Sequence, residues 1–142
     1  MNKLEYIPGD IVKIEYGEAT GKIGFVTNTF LRRKGCYSLV VFIGKGFQGS
    51  SKDDWIQTYN DEVSPIPLTT EILEKNGWKD DGYDWYKFPT KRAYLYITKD
   101  ITTLGEFLVC VGLDRHNLAS INFVHQLQHL LFGLELNPEM EV

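Results

Sequence analysis

His125-Gln126-Leu127-Gln128-His129 sets two imidazoles four residues apart, the spacing at which one side of a helix can offer two nitrogens to a metal ion. The hydrolytic form of that motif needs a glutamate as general base beside the first histidine. This chain has Gln126 there, and an amide cannot take the proton. His116, the third histidine, falls in a predicted loop ahead of the helix, so no further ligand is declared. A polar or contact role is expected for the pair. Gly44-Lys45-Gly46-Phe47-Gln48-Gly49 spells Gly-x-Gly-x-x-Gly after an apolar run, a pattern that cradles a pyrophosphate only where a helix begins at the loop. Ser50-Ser51-Lys52-Asp53-Asp54-Trp55 starts a long helix poorly, and Ser50 stands where a phosphate-binding loop requires lysine. A glycine-rich surface loop is expected over 44–49, with no nucleotide.

Two basic sites remain. Arg32, Arg33 and Lys34 form the tip of a predicted hairpin, where three cations could meet phosphates or simply keep a strand edge solvated. Arg92, Tyr94 and Tyr96 alternate along one side of a predicted strand, with Trp85 or Tyr86 expected across from them. Aromatics beside cations suit base stacking, and cross-strand aromatic pairs also stabilise sheets without any ligand. Asp53/Asp54 and Asp80/Asp81 sit in turn-like surroundings, where carboxylates cap main-chain amides. Neither Cys36 nor Cys110 has a histidine nearby in sequence, and no Gly-x-Ser-x-Gly elbow occurs. The chain is accordingly expected not to be an enzyme, with no catalytic residue, no metal and no cofactor.

Composition is that of an ordinary globular chain. The chain has 142 residues, 15 basic and 19 acidic, for a net charge of −4, which disfavours a nucleic-acid binder driven by bulk charge. With 43% apolar and 13% aromatic residues it can fill a core. No run approaches a bilayer span and no secretory h-region follows Met1, so a cytoplasmic protein without membrane contact is expected, its two cysteines reduced.

The elements that must position these residues change character midway. Residues 1–66 read as short strands: Ile11–Ile14 after Pro8-Gly9-Asp10, then Ile23–Leu31 and Tyr37–Ile43 flanking the basic tip. Ser64-Pro65-Ile66-Pro67 breaks the pattern, because alternating prolines force extended backbone and cannot donate to a sheet interior. The charge balance shifts at the same place. Residues 1–68 carry eight basic and eight acidic side chains, 69–142 seven and eleven. Thr69 is a helix cap for Thr70–Lys75, with Gly77 as its stop. Three strands of an antiparallel sheet follow, over Tyr83–Phe88, Arg92–Thr98 and Glu106–Gly112, and then a long helix whose stripe is Val124, Leu127, Leu131 and Leu134. On its other side Ile121, His125, Gln128 and Phe132 recur at helical spacing with His129 beside them, a second contact strip. The acidic tail from Asn137 is expected to fray.

Two resemblances add to this. Gly9-Asp10-x-Val12-x-Ile14 followed by Gly21-x-Ile23-Gly24-x-Val26 resembles the opening of SH3-like barrels of the KOW type. Pro67-Leu68-Thr69-x-Glu71-Ile72-Leu73-Glu74-Lys75-Asn76-Gly77-Trp78, together with Val124-His125-Gln126-Leu127-Gln128, resembles a group of short uncharacterised proteins of gut Bacteroidetes and their phages and mobile elements. Thr70 replaces a proline of that group, Trp78 a phenylalanine, and His129 and Leu131 an asparagine and a tyrosine. The likeness implies a shared C-terminal fold and carries no activity.

The expected protein is α+β. An SH3-like barrel spans 1–66, and an α+β domain of helix, three-stranded antiparallel sheet and long final helix spans 67–142. Its expected function is a binding or assembly module of phage or mobile-element type, engaging a protein partner or a second copy. The alternative is a nucleic-acid accessory protein that uses Arg32, Arg33, Lys34, Arg92, Tyr94 and Tyr96.

Overall fold

The computed structural model describes residues 6–33, 36–44, 54–82, 85–90, 94–99, 106–112 and 116–142. Lys34, Gly35, residues 45–53 and Arg92, which figure in the expectations above, lie outside them. The chain divides into two compact units, Met1–Ile66 and Pro67–Val142. Among the described residues each is built on a five-stranded antiparallel sheet, and two short helices belong to the second, so the protein is mixed α and β. Among the described residues no helix is long and apolar enough to cross a membrane.

The first unit contains β1 (Ile11–Ile14), β2 (Ile23–Arg33), β3 (Cys36–Phe42), β4 (Trp55–Tyr59) and β5 (Val63–Pro65). Its entry turn explains the Gly9-Asp10 pair. Gly9 takes φ +99°, a conformation that penalises any Cβ, and the buried Asp10 carboxylate accepts the Ile7 amide at 2.9 Å. Strand order is β4-β3-β2-β1-β5, with β1 between β2 and β5. Among the described residues β4 and β5 are the two sheet edges. One face buries Val12, Ile14, Val26, Leu39, Val41 and Val63 with Tyr6 and Ala19. Gly24 leaves no room for a side chain between two strands: a Cβ there would run into the Phe42 carbonyl oxygen and the Ile43 and Val41 side chains.

The second unit runs α1 (Thr70–Lys75), β6 (Lys79–Asp80), β7 (Trp85–Pro89), β8 (Tyr94–Lys99), β9 (Phe107–Val111), β10 (His116–Ile121) and α2 (Val124–Gly133). The sheet therefore has two strands more than the three expected, one at each edge, in the order β10-β9-β8-β7-β6. His116, expected in a loop, opens β10, and Ile121, expected on the final helix, closes it. That helix has ten residues. It cannot begin earlier, because Gln126 Oε1 accepts the amides of Asn122 at 2.7 Å and Phe123 at 3.1 Å, fixing the start at Val124.

Both helices end alike but with different residues. In α1 the Trp78 amide reaches back to the Leu73 carbonyl and the Gly77 amide to Glu74, closing a Schellman motif with Gly77 at φ +91°. In α2 the Leu136 amide bonds Leu131 and the Glu135 amide bonds Phe132. There the left-handed position, φ 61°, is occupied by Glu135.

Candidate binding surfaces

In the first unit the face opposite the core is aromatic. Register puts Phe25 opposite Phe42, and Phe42 opposite Trp55. The three rings form a row across β2, β3 and β4, with centroids 5.5 and 4.6 Å apart. Strand alternation places Ile23, Val40, Gln57 and Tyr59 on the same side as this row. Phe30 belongs there too, although five residues from Phe25 it should point away under strict alternation. An irregularity between Val26 and Asn28 inserts one residue and returns Phe30 to this side, opposite Ser38. Phe42 is buried within the row, while Phe25, Trp55 and Tyr59 are 37–40% exposed and Phe30 is 52% exposed. These aromatics were not singled out in the sequence. The Trp-x-Gln-x-Tyr alternation of β4 was the available signal; the bulge hid the rest.

At the end of the same sheet, Arg32 and Arg33 are exposed and line a shallow hollow of about 450 Å³ with Cys36, Tyr59, Asp61 and Glu62. Glu62 is held in place by the Thr58 hydroxyl, which donates to it at 3.0 Å. The basic tip thus opens onto two carboxylates, and a polyanion laid across it would meet repulsion as well as attraction. Ile43 pairs with Asp54 across the ends of β3 and β4; of the 44–49 loop only Gly44 is described.

In the second unit Tyr94 and Tyr96 do share a side of β8; the register sets Pro89 and Lys87 directly across from them, and Trp85, opposite Thr98, meets Tyr96 diagonally on the same face. Tyr86 belongs to the opposite face, where its hydroxyl donates to Glu74 of α1 at 3.2 Å. Burial and that bond to a carboxylate raise the Tyr86 pKa above the usual phenol range. Tyr94 is exposed but Tyr96 is buried, so a single ring is open for stacking. The nearest described cation, Lys87, lies 5.2 Å over the Tyr94 ring and pairs with Asp81 at 3.2 Å. Asp81 raises the Lys87 pKa, and its carboxylate would also repel a phosphate brought to that lysine.

The histidine strip of α2 divides by burial. The helix buries Val124, Leu127 and Leu131 as the spacing predicts, but Leu134, expected to complete that stripe, is the C-cap and 41% exposed, and the buried arc extends instead to His125 and Gln128. Ile121 is buried at the end of β10, whereas Phe132 is 68% exposed. The five residues therefore do not form one continuous outer strip. His125 stacks on Phe123, ring centroids 6.0 Å apart, and meets His129 edge-on at 5.5 Å. Among the described residues no group of three or more His, Cys, Asp or Glu side chains could hold a metal ion. Cys36 and Cys110 are both free thiols.

The tail, expected to fray, is tied down. Gln128 Nε2 donates to the Pro138 carbonyl at 3.1 Å, and Lys75 Nζ to the Val142 main-chain oxygen at 3.0 Å. Asn76 both donates to the Glu141 carbonyl and accepts the Glu141 amide, each at 2.7 Å. Nothing local in 137–142 signals this, because the partners lie up to 67 residues away. No protein-family model, curated protein or solved structure matches the chain.

Proposed function

We propose that the protein is a non-enzymatic binding or assembly module of phage or mobile-element type, which docks a protein partner through the aromatic face of its first sheet. One observation carries this reading: the open face of an antiparallel sheet is ordinarily polar, and here it presents Phe25, Phe30, Trp55 and Tyr59 to solvent. Rings of this kind supply large contact area at little conformational cost and are enriched where proteins bind one another. We read the first unit as an SH3-like barrel of the KOW type. Support comes from the seating of β1 between β2 and β5, and from the Gly9-Asp10 entry turn.

The test is a photo-crosslinking amino acid in place of Tyr59, in cells that express the chain. A discrete crosslinked protein that disappears in a Trp55→Ser background supports the reading. Uncrosslinked chain alone, or a product indifferent to Trp55→Ser, overturns it. A second reading, an accessory protein on nucleic acid, is favoured by the exposed Arg32 and Arg33 beside Tyr59. It requires a salt-dependent gel shift lost in Arg32→Ala/Arg33→Ala, and no binding at low salt removes it.

A further inference from the structure

The tail of the second unit is held through its main chain. Pro138 and Val142 accept through main-chain oxygens, and Glu141 both donates and accepts through its own peptide groups. The seat is built from side chains of two helices: Lys75 and Asn76 at the end of α1, and Gln128 in α2. The Asn76 carboxamide is itself oriented by a second donated bond, 2.8 Å to the Ile72 carbonyl. A two-point amide pair of this kind reads an extended peptide much as a neighbouring strand would.

The strap is separable from the fold it crosses. Residues 137–142 contain no helix or strand, and only the Leu134–Leu136 turn joins them to α2. That turn is the one whose left-handed position is filled by Glu135, so opening it releases an unfavourable backbone conformation. At its root Phe132 and Leu134 stand 68% and 41% exposed.

We propose that the Lys75–Asn76–Gln128 seat is a peptide-binding site whose second occupant is the 137–142 segment of another copy, so that two chains join by exchanging straps. Each seat keeps every bond it makes within one chain, because the incoming segment is identical. Exchange through a short hinge draws the two hinges together around a two-fold axis, and the exposed Phe132 and Leu134 then face their counterparts. The tethered strap competes at an effective concentration in the millimolar range, so the dimer is weak and forms at roughly 0.1–1 mM chain. This proposal concerns the second unit alone and stands apart from the aromatic face of the first.

Light scattering across that concentration range tests it with the full chain. The native protein shifts toward twice its monomer mass, and Asn76→Ala, which deletes both bonds to Glu141 in either form and so releases the strap, is an open monomer that keeps its cooperative melt. Glu141→Pro, which removes the amide donated to Asn76, also stays monomeric. Mixing the two restores a dimer, because one supplies an intact strap and the other an intact seat. A native chain that stays monomeric throughout overturns the exchange. So does a dimer that survives Asn76→Ala and Glu141→Pro. If that surviving dimer is lost in Trp55→Ser, assembly through the aromatic face stands and the strap does not.

Discussion

The two sheets solve the same problem differently. Each has five antiparallel strands among the described residues and one face richer in buried aliphatic side chains, but the second unit brings its own cover. Tyr86 on that sheet bonds Glu74 of α1, and the interior includes Leu73, Trp78 and Leu127 from the helices and the segment after them. The first unit has no helix among its described residues, and its outer face is left with a row of rings. The comparison separates aromatics that hold a fold from aromatics that the fold merely displays. Trp78 is buried and stacks on Phe88 at 5.1 Å; Trp55 has a ring partner and is still 40% exposed.

Core truncation should give the largest effect. Leu39→Ala removes a fully buried side chain from the first unit and is expected to cost about 2–5 kcal/mol in chemical denaturation. An outer-face truncation that cost as much would show those aromatics to be structural and break the contrast. Gly24→Ala forces a Cβ against the Phe42 carbonyl in a place where backbone must give way, with an expected loss of about 1–3 kcal/mol. If its melt is unchanged, β2 and β3 are less closely apposed than described.

In the second unit the expected effects are smaller and local. The Thr69 hydroxyl accepts the Ile72 amide at 3.2 Å, so Thr69→Ala should cost about 1 kcal/mol by loss of the cap. It should also move Glu71 upward. That carboxylate is held below its usual pKa first by its own main-chain amide and then by Thr69, with Lys99 adding a smaller pull. NMR titration of Glu71 checks this, and an unmoved value would mean that Thr69 does not reach it. Glu135→Gly places at the end of α2 the residue type that ends α1, and should stabilise by about 0.5–1 kcal/mol. A loss instead would show the Glu135 side chain to be needed where it stands.

An equally small effect has an alkaline signature. The Tyr86 phenol loses its proton at higher pH in the folded chain than in the unfolded one. Its stabilising contribution is therefore whole below about pH 10, the unfolded phenol value, and falls away as pH rises through the raised folded value. Tyr86→Phe should flatten that alkaline decline, and at neutral pH it should cost the exposed bond to Glu74, about 0.5–1 kcal/mol. An identical decline in both proteins would assign it to other groups, Lys87 among them, whose raised pKa acts in the same direction.

Local chemistry was legible wherever its partners were close in sequence. The Thr69 cap, the Gly77 stop, the Gly9-Asp10 turn and the strands flanking the basic tip each rest on bonds spanning a few residues or on strict alternation. Reading failed where a single residue changed the count. The bulge at Thr27 turned Phe30 to the side of Phe25, and the Gln126 bonds cut Ile121 out of α2. Trp85 rather than Tyr86 shares the face of Tyr96 because strand register, which sequence does not encode locally, sets Trp85 opposite Thr98 and Tyr86 opposite Ile97.

By itself, then, the amino-acid order determined local structure where the partners are close, as at the Thr69 cap, the Gly77 stop and the Gly9-Asp10 turn, since those preferences are set by dihedral limits and near-neighbour hydrogen bonds. Only the tertiary structure decided which rings stay in water, that Asp61 and Glu62 share a hollow with Arg32 and Arg33, and that Asn76 clasps Glu141 from 65 residues away. Those outcomes depend on chain closure over long distances, where side chains meet through register and packing rather than through any pattern carried along the sequence.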